Sequence, residues 1–322
     1  MDLSIIIVNW NTRQLLRACL ASVLANSQGG GRQGLDLEIF VVDNGSSDGS
    51  PQMVEQEFPS VILIKNQDNR GFAAANNQAI EHATGKYVLL LNSDTLVHGD
   101  VLASAVGYLE SHPNVAVLGC RVLNEDGSVQ PSCGTFPGLL NLAVLSSGLW
   151  KLPSPAFLAR SQLRPLEGPD AQDVDYVSGC FMCLRRSAVA EVGLLDEKFF
   201  FFGEEVDWCR RFREKGYRVR AAPVGTITHL GSASARKLNH KRDLMLTSGI
   251  VLLHRKHRGL VAAALAWSIL LGFNISRVAF WSLRQIAAPC PATRARRDHF
   301  RAVVKNFHRA WPSMEAGSLA VR

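Results

Sequence analysis

Along the first 235 residues, short continuous apolar runs typical of buried strands alternate with segments whose apolar residues recur at helical spacing. Short apolar runs rich in β-branched residues predict five strands, at residues 3–8, 37–42, 61–64, 87–91 and 115–118. Apolar residues at helical spacing predict intervening helices at residues 13–26, 72–83 and 101–111. Strands that alternate with helices in this way predict an α/β fold with a mostly parallel, doubly wound sheet.

Two stretches depart from this rhythm. Residues 129–175 hold six of the 13 prolines, and we expect a long, irregular insertion there. Residues 29–34 read Gly-Gly-Gly-Arg-Gln-Gly and match the spacing of a dinucleotide-binding turn. That turn follows a strand and opens a helix, whereas here a helix is predicted before the glycines and a strand after them. We therefore expect a flexible connector.

The charge of the chain is unevenly distributed. With 322 residues, of which 47% are hydrophobic, the chain can bury one large core with or without an appendage. Residues 236–322 hold 16 lysines and arginines against 3 acidic residues, whereas residues 1–235 hold 19 against 25. The net charge of +7 therefore belongs to the tail. A basic tail can meet nucleic acid or an anionic membrane face.

The tail also carries an apolar run at residues 260–273, which nucleic acid does not require. Basic residues border it upstream: Arg255, Lys256 and Arg258. The run is short for a span of about 20 residues, and Asn274 and Arg277 separate it from the largely apolar residues 275–283. A helix lying on a membrane surface is favoured, with a true span or a helix packed on the globular domain as alternatives.

The amino terminus and the cysteines favour a cytoplasmic location. Residues 3–8 are apolar but short and lack a basic leader, so no signal peptide is evident. The seven cysteines lie mostly within apolar runs, where a reduced thiol packs as a small hydrophobe. Cys180 and Cys183 have redox or half-zinc spacing but no second pair, and we expect them to pack in the core.

Asn92-Ser93-Asp94 directly follows the predicted strand 87–91. A carboxylate preceded two residues earlier by another oxygen donor, at the carboxyl end of a strand, is a candidate ligand set for a divalent cation. Alternatively, Asp94 begins a turn before the helix that starts near Asp100. A second acidic cluster, Glu204-Glu205 with Asp207, is followed by His229 and favours the metal interpretation. Helix-start acids and a core histidine remain the alternatives there.

Polar residues also follow the first two predicted strands. Asp43 can accept a hydrogen bond from a base imide, and Asn9 or Asn11 can pair with a base or ribose. Farther along, Asn69-Arg70-Gly71 opens a helix that carries Asn76, and a helix amino terminus with a nearby arginine suits a diphosphate or a sugar hydroxyl. The sequence therefore predicts a nucleotide crevice, although a turn rich in Asn, Asp and Gly that caps a helix also explains part of the pattern.

The order of these motifs resembles that of family-2 glycosyltransferases, and the rhamnosyltransferase-like bacterial branch in particular. The resemblance covers residues 3 to about 235 and is carried by seven segments: residues 4–11, 41–49, 69–73, 89–94, 199–211, Gly216-Tyr217 and His229. It implies a GT-A nucleotide-sugar-binding fold for a catalytic domain at residues 1–235. Charge and the apolar run independently predict a helical, membrane-associated tail at residues 236–322.

The resemblance also implies roles for individual residues in an inverting transfer. Asp43 would bind the nucleobase, Asp94 would be the aspartate of the metal-binding D-x-D motif, and His229 would complete a Mg²⁺ or Mn²⁺ site. Glu205 would be the general base, a role that Glu204 could share. The remaining donor-binding candidates are Asn9, Asn11, Asn69, Arg70, Gly71, Asn76, Asn92 and Ser93.

The chemistry agrees with these roles. A cation offsets the negative charge of the leaving diphosphate, and a carboxylate can take the proton of an attacking hydroxyl. Two positions depart from the branch: Asn92 stands where the first Asp of the motif often lies, and Glu205 stands where Asp is more frequent. We expect lower metal affinity and a base that reaches one methylene farther.

The expected donor is a UDP- or dTDP-sugar, and the resemblance alone favours rhamnose. The expected acceptor is a polyprenyl-linked or other glycan of cell-surface polysaccharide synthesis, at the cytoplasmic face of the membrane. Nucleic acid is not an expected partner. Two alternatives remain: a sugar nucleotidyltransferase, for which a basic glycine-rich loop after the first strand is missing, and a catalytically silent membrane-bound protein that keeps a nucleotide-sugar pocket.

Overall fold

The computed structural model describes residues 1–28, 34–147, 164–231 and 239–312. Contacts within the chain divide it into two compact units. Unit 1 comprises Met1–Phe136, Leu163–Asp196 and Glu205–Ala235, and unit 2 comprises Pro137–Gln162, Glu197–Glu204 and Arg236–Arg322. The domain boundary expected after residue 235 stays a prediction, since two short earlier segments group with the tail.

Unit 1 is built from strands and helices in alternation. Its strands are β1 (Leu3–Asn9), β2 (Leu37–Asp43), β3 (Ile62–Lys65), β4 (Tyr87–Asn92), β5 (Thr95–Val97), β6 (Val115–Leu123), β7 (Pro131–Gly134), β8 (Arg164–Pro165), β9 (Gln172–Asp173), β10 (Tyr176–Val177), β11 (Phe181–Arg185) and β12 (Arg218–His229). The helices α1 to α4 are Arg13–Gln28, Ser50–Glu57, Phe72–Ile80 and Val101–Ser111. After α5 (Leu139–Ser147) in unit 2 come α6 (Arg186–Val192) and α7 (Glu204–Glu214).

The main sheet has nine strands in the order β3-β2-β1-β4-β11-β6-β12-β5, with β9 paired to β12. Strands β3, β2, β1 and β4 are parallel, as are β6 and β12. Strand β11 is antiparallel to both of its neighbours, and β5 is antiparallel to β12. All five strands expected from the sequence are present, and the α/β fold class is confirmed.

The central strands are mostly apolar and buried, as expected for a sheet whose faces are covered by helices. Ile5 and Ile7 of β1, with Leu89 of β4, pack in one buried cluster with Leu16 and Leu20 of α1. A parallel sheet buried on both faces requires such continuous apolar runs. The hydrophobic core therefore fixes the register in which the strand ends meet.

The two cysteines that are three residues apart lie in the core, Cys180 directly before β11 and Cys183 within it. Cys180 and Cys183 are free and buried. Burial raises the pKa of the Cys180 thiol to about 11 and that of the Cys183 thiol to about 12, so both stay protonated near neutral pH. The expectation that they pack in the core is confirmed.

The segment 129–175 is more regular than its prolines suggested. Strands β7, β8 and β10 form a small antiparallel sheet, and α5 follows β7 along the chain. Strands of two to four residues are too short to show a period in the sequence. Residues 148–163 of this segment, and residues 29–33 of the glycine run, lie outside the described residues.

Unit 2 contains a long helix, α8 (His240–Ala287), that is broken at Gly259. Gly259 has a φ of 85°, in the left-handed region that favours glycine, and it divides α8 into a first arm (240–258) and a second arm (260–287). The second arm continues through Asn274, whose amide donates to the Leu270 carbonyl at 2.8 Å. By length and composition, α8 could cross a membrane.

Helix α9 (Pro291–Lys305) packs against both arms of α8. On the first arm, Leu244 is buried with Val303 and Phe307. On the second arm, the ring of Phe273 lies 6.4 Å from that of Phe300 of α9, and Trp267 lies 5.1 Å from Phe307 in the turn after α9. Cys290 caps the amino terminus of the helix, because its sulfur accepts from the Thr293 amide. Pro291 is the first helical residue, a position that favours proline. The tail is therefore a packed helical assembly.

Asn77 of α3 provides a test of the fold. Its buried amide bonds both backbone groups of Leu195, with Nδ2 donating at 2.9 Å and Oδ1 accepting at 3.1 Å. We expect Asn77→Ala to lower the free energy of unfolding by about 2–3 kcal/mol, because two buried backbone groups lose their partner. Urea unfolding measures the loss. The exposed Gln52→Ala on α2 should change it by less than about 0.5 kcal/mol, and equal losses would contradict this role.

Candidate functional site

The carboxyl ends of β1, β2 and β4 meet at one edge of the sheet. In the parallel register, Asn9 lies opposite Asp43, and Val8 lies opposite Asn92. Polar residues that end these strands are thus delivered to one crevice. Ligands of open α/β sheets bind at such an edge.

The first cluster at this edge joins Asn9 to Asp43, and both side chains are buried. Asn9 Nδ2 donates to Asp43 Oδ1 at 2.9 Å and to Ser46 Oγ at 3.1 Å. The Ser46 amide donates to Asp43 Oδ2 at 2.9 Å. These bonds fix the orientation of the carboxylate, while each oxygen keeps a lone pair for a further donor. Asn9 therefore orients Asp43 rather than facing solvent.

Thr12 connects this cluster to the turn after β4. Its hydroxyl donates to Asn9 Oδ1 at 2.6 Å and lies 2.9 Å from Ser93 Oγ. Asn11 directly precedes Thr12 in the chain and has a φ of 54°, a conformation that asparagine tolerates better than most residues. Its Oδ1 accepts from the Ser47 amide at 2.8 Å. The predicted residues Asn9, Asn11 and Ser93 are therefore brought together.

Asn44 holds the third candidate segment against the end of β2. Its Nδ2 donates to Asn69 Oδ1 at 2.9 Å, and its Oδ1 accepts from the Arg70 amide at 3.1 Å. Gly71, with a φ of 85°, precedes the first residue of α3. Asn76 is buried within α3, where its amide donates to the Phe72 carbonyl at 2.8 Å. The amino terminus of α3 thus opens toward the same edge as Asp43.

Asp94 and His229 meet because β5 pairs with the end of β12. His229 lies opposite Thr95 in this antiparallel ladder, and the Leu230 amide donates to the Asp94 carbonyl at 2.8 Å. His229 Nε2 lies 3.2 Å from Asp94 Oδ1 and 3.2 Å from Asn92 Nδ2. Residues far apart in the chain therefore place a carboxylate, an imidazole and an amide within contact of each other.

Gln130 supports His229 from the other side of the ring. Its Oε1 lies 2.8 Å from His229 Nδ1 and can accept the proton of that nitrogen. The lone pair of Nε2 then faces Asn92 and Asp94. Sequence reasoning missed Gln130, Thr12, Ser46 and Asn44, since none stands at a spacing that predicts its contacts.

Gly231 lets its backbone approach Asp94 closely. A Cβ at this position would overlap Asp94 Oδ2 and would lie 3.3 Å from His229 Nε2, so a larger residue would displace the carboxylate. One carboxylate oxygen and one imidazole nitrogen in contact form a donor pair that suits a divalent cation. Within residues 1–28, 34–147, 164–231 and 239–312, His, Cys, Asp and Glu form no group of three or more suited to a metal.

The second acidic cluster lies at the start of α7. Glu204 is buried and Glu205 is half-buried. The pKa of the Tyr176 hydroxyl is raised far above its usual range, mainly by burial and secondly by the charge of Glu205. Burial also raises the pKa of the Cys209 thiol to about 12. Asp207 is paired with Arg211 at 2.9 Å, and Arg211 also donates to the Leu194 carbonyl at 2.7 Å. Asp207 is therefore structural, and the roles of Glu204 and Glu205 stay predictions.

The sequence profile of Glycosyl transferase family 2 matches residues 4–193, which is more than half of the chain. The chain belongs to this family. The matched region contains the whole crevice edge except His229, Gly231 and the α7 acids. The protein is thus a glycosyltransferase that takes its sugar from a nucleotide-sugar, and the family resemblance is confirmed.

Two curated relatives cover most of the chain. The N-acetylglucosaminyl-diphospho-decaprenol L-rhamnosyltransferase of Mycobacterium tuberculosis is 28% identical over 254 residues, which cover 72% of this chain and 80% of that protein. The low-salt glycan biosynthesis hexosyltransferase Agl10 of Haloferax volcanii is 25% identical over 232 residues, which cover 71% of this chain and 67% of that one.

Solved structures agree on the fold. The mannosyltransferase PcManGT from Pyrobaculum calidifontis, in complex with GDP-Man and Mn²⁺, superposes with a TM-score of 0.53 at 18% identity, covering 95% of this chain and 87% of that one. TarS 1–349 of S. aureus gives a TM-score of 0.50 at 16% identity, with 96% and 91% covered. The GT-A fold expected from the sequence is confirmed.

Gly231→Ala tests the close approach at Asp94. Because the added methyl would overlap Oδ2, we expect the carboxylate to rotate and the contact with His229 Nε2 to be lost. Imidazole ¹H–¹⁵N NMR of His229 reports the change. Gly107→Ala in α4, where a Cβ meets open space, should leave the His229 signals unchanged and stabilise the fold by up to about 1 kcal/mol. Unchanged His229 signals in both variants would contradict the crowding.

Proposed function

We propose that this family-2 glycosyltransferase is an inverting, metal-dependent enzyme that moves a sugar from a UDP- or dTDP-sugar to a hydroxyl of a lipid-linked glycan in cell-surface polysaccharide synthesis. The contact between Asp94 and His229, which the close approach of Gly231 permits, is the observation that carries the proposal. Rhamnose is the first sugar to test. The name of the mycobacterial relative supports both rhamnose and a lipid-linked acceptor.

The nucleotide end of the donor would lie against the Asn9–Asp43 cluster. Asp43 keeps acceptor capacity for a base N–H in the orientation that Asn9 and Ser46 impose. Arg70 and the amino terminus of α3 supply positive charge for the diphosphate. The other donor contacts proposed here are Asn11, Asn69, Gly71, Asn76, Asn92 and Ser93.

Asp94 and His229 would hold a Mg²⁺ or Mn²⁺ ion. When bound, the ion would supply charge stabilisation to the leaving diphosphate. Gln130 keeps the Nε2 lone pair of His229 directed to this position, as partners of metal-binding histidines do. Two protein ligands leave room for diphosphate oxygens, and the neutral Asn92 lowers the charge of the site. We therefore propose that the ion and the donor bind together.

The acceptor hydroxyl would lose its proton to Glu205, or to Glu204 beside it. Its oxygen attacks the anomeric carbon from the face opposite the diphosphate, the bond from that carbon to the diphosphate oxygen breaks, and the configuration inverts. The proton ends on the carboxylate and the nucleoside diphosphate leaves. A positioned base of this kind contributes roughly 10²- to 10⁴-fold to the rate.

The metal half of the proposal can be tested with Asp94→Asn. For a panel of UDP- and dTDP-sugars with and without Mn²⁺, we expect one donor to bind and hydrolyse slowly in a metal-dependent way. Asp94→Asn should weaken this binding by at least about tenfold, since it removes the ligand charge while keeping the side-chain shape. Isothermal calorimetry and nucleotide release provide the measurements. Asp100→Asn, an exposed acid at the start of α4, is the matched control.

Three results would count against this assignment. Equal metal dependence in Asp94→Asn and wild type would remove Asp94 from the site. Binding without any turnover would favour the silent binding protein. Formation of a nucleotide-sugar from a sugar phosphate and a nucleoside triphosphate would favour the nucleotidyltransferase.

Glu205→Gln separates the base from donor binding. We expect the rate of transfer to acceptor to fall at least about 100-fold while the affinity for donor and Mn²⁺ stays within about twofold, because the amide cannot take the proton. The measurements are transfer kinetics and donor calorimetry. Glu204→Gln is the neighbouring comparison. If Glu204→Gln abolishes transfer and Glu205→Gln does not, the two roles are reversed.

We also propose that the enzyme works at the cytoplasmic face of the cell membrane. The support comes from the basic tail and the apolar second arm of α8. A lipid-linked acceptor carries its reacting sugar at the membrane surface. An enzyme bound to that surface would encounter the acceptor by diffusion in the plane of the membrane.

A further inference from the structure

The second arm of α8 exposes a continuous uncharged face. Exposed residues recur every three or four positions, as they do along one side of a helix. We call this face the apolar stripe; it consists of Val261, Leu265, Ser268, Gly272, Ile275, Ala279, Leu283 and Ile286. Val261 is 75% exposed, Leu283 68% and Ile286 80%. At 1.5 Å per residue the stripe is about 38 Å long.

A stripe of this size requires a partner. Soluble proteins rarely expose so long an apolar surface, and such surfaces mark interaction sites. The opposite side of the second arm is already covered, because Phe273 packs edge-on against Phe300 of α9 at 6.4 Å and Arg296 of α9 lies over the Trp281 ring at 4.7 Å. The stripe is the face that α9 leaves open.

Helix α9 borders the second arm with positive charge. Four of its cationic side chains are exposed: Arg294, Arg296, Arg301 and Lys305. Its acidic residue, Asp298, is paired with Arg297 at 2.8 Å. Arg284 of the second arm is also exposed, and it follows Leu283 in sequence at about 100° around the helix from the stripe. An apolar stripe beside exposed cations is complementary to a bilayer surface with anionic headgroups.

The packing of α9 argues against a membrane span. Thr293 donates to Gln285, and Phe307 contacts Trp267, so α9 and the turn after it follow the second arm along most of its length. If the second arm crossed the bilayer, the arginines and lysine of α9 would be carried into the hydrocarbon, where each charge is costly. His299 of α9 is also bound to Asp243 of the first arm at 2.9 Å, which ties α9 to both arms.

We propose that unit 2 docks on the membrane with the second arm of α8 lying in the plane of the bilayer. The apolar stripe enters the acyl boundary, and the cations of α9 and Arg284 meet the phosphates of anionic lipids. The occupant of the stripe is thus the surface of a bilayer that contains anionic phospholipid. This inference specifies the membrane location given under the proposed function but does not depend on the sugar-transfer chemistry.

The test uses full-length protein and sedimentation with phosphatidylcholine vesicles, with and without phosphatidylglycerol. The stripe variant carries Leu265→Gln, Ile275→Gln and Leu283→Gln, and we expect its partition into mixed vesicles to fall at least about tenfold. A matched control changes exposed apolar residues outside the stripe, Ile62→Gln, Leu140→Gln and Leu246→Gln, and should partition as wild type does. Circular dichroism verifies that each variant is folded without reference to the donor, and donor calorimetry is run separately, so a failed donor assignment and a failed docking surface give different results.

A second variant tests the contribution of charge. Arg294→Gln, Arg296→Gln and Arg301→Gln should remove most of the preference for phosphatidylglycerol while leaving the stripe intact. Alkaline carbonate should extract the wild-type protein from cell membranes, as expected for a helix on the surface. Retention in the carbonate pellet would overturn the proposal in favour of a span. Equal vesicle binding by wild type and the stripe variant, with a dimer dissociating only in the variant, would overturn it in favour of a second copy on the stripe.

Discussion

The pairing of the short strand β5 with the end of β12 is the constraint on which the site depends. It places His229 opposite Thr95 and therefore beside Asp94, and it lets the Leu230 amide bond the Asp94 carbonyl at 2.8 Å. The Asp94 carboxylate can take this position only because residue 231 is glycine, since a Cβ there would overlap Oδ2. The metal interpretation of Asn92-Ser93-Asp94 would have little geometric support if β12 ended one residue earlier.

The two halves of the crevice differ in burial and in how firmly hydrogen bonds hold their side chains. The Asn9–Asp43 half is buried and linked by short hydrogen bonds, so its geometry is set before a ligand arrives. The Asp94–His229 half is partly exposed, and its imidazole is steadied by Gln130. A preset half that we propose binds the base, and a partly exposed half that we propose is completed by an ion and a diphosphate, would suit an enzyme that releases its nucleotide after every transfer.

Local pattern in the sequence was sufficient for β1 to β4, β6 and the helices α1, α3 and α4, because continuous apolar runs and helical spacing are local properties. Local pattern could not predict that β11 runs antiparallel to its neighbours, since buried antiparallel and buried parallel strands have the same apolar composition. The motif order located Asp94 and His229, whereas Gln130 and Asn44 act through contacts that no spacing encodes. Asn274 and Arg277 interrupt the apolar pattern of the tail without interrupting the helix, since one amide bonds its own backbone and the guanidinium lies over the Phe273 ring.

The sequence separation of the contacts also determines in which order the parts of the site can form while the chain is synthesised. The contact from Asn9 to Asp43 closes a loop of 34 residues, whereas that from Asn92 to His229 closes one of 137. Short closures form early, and long ones wait for the rest of the chain. Until residues 181–185 leave the ribosome, β4 and β6 each present an unpaired edge, the kind of surface on which nascent chains aggregate. A chain terminated before β12 would keep the Asn9–Asp43 cluster and lack the contact of Asp94 with His229, so it would hold only the part of the proposed donor site that faces the nucleobase.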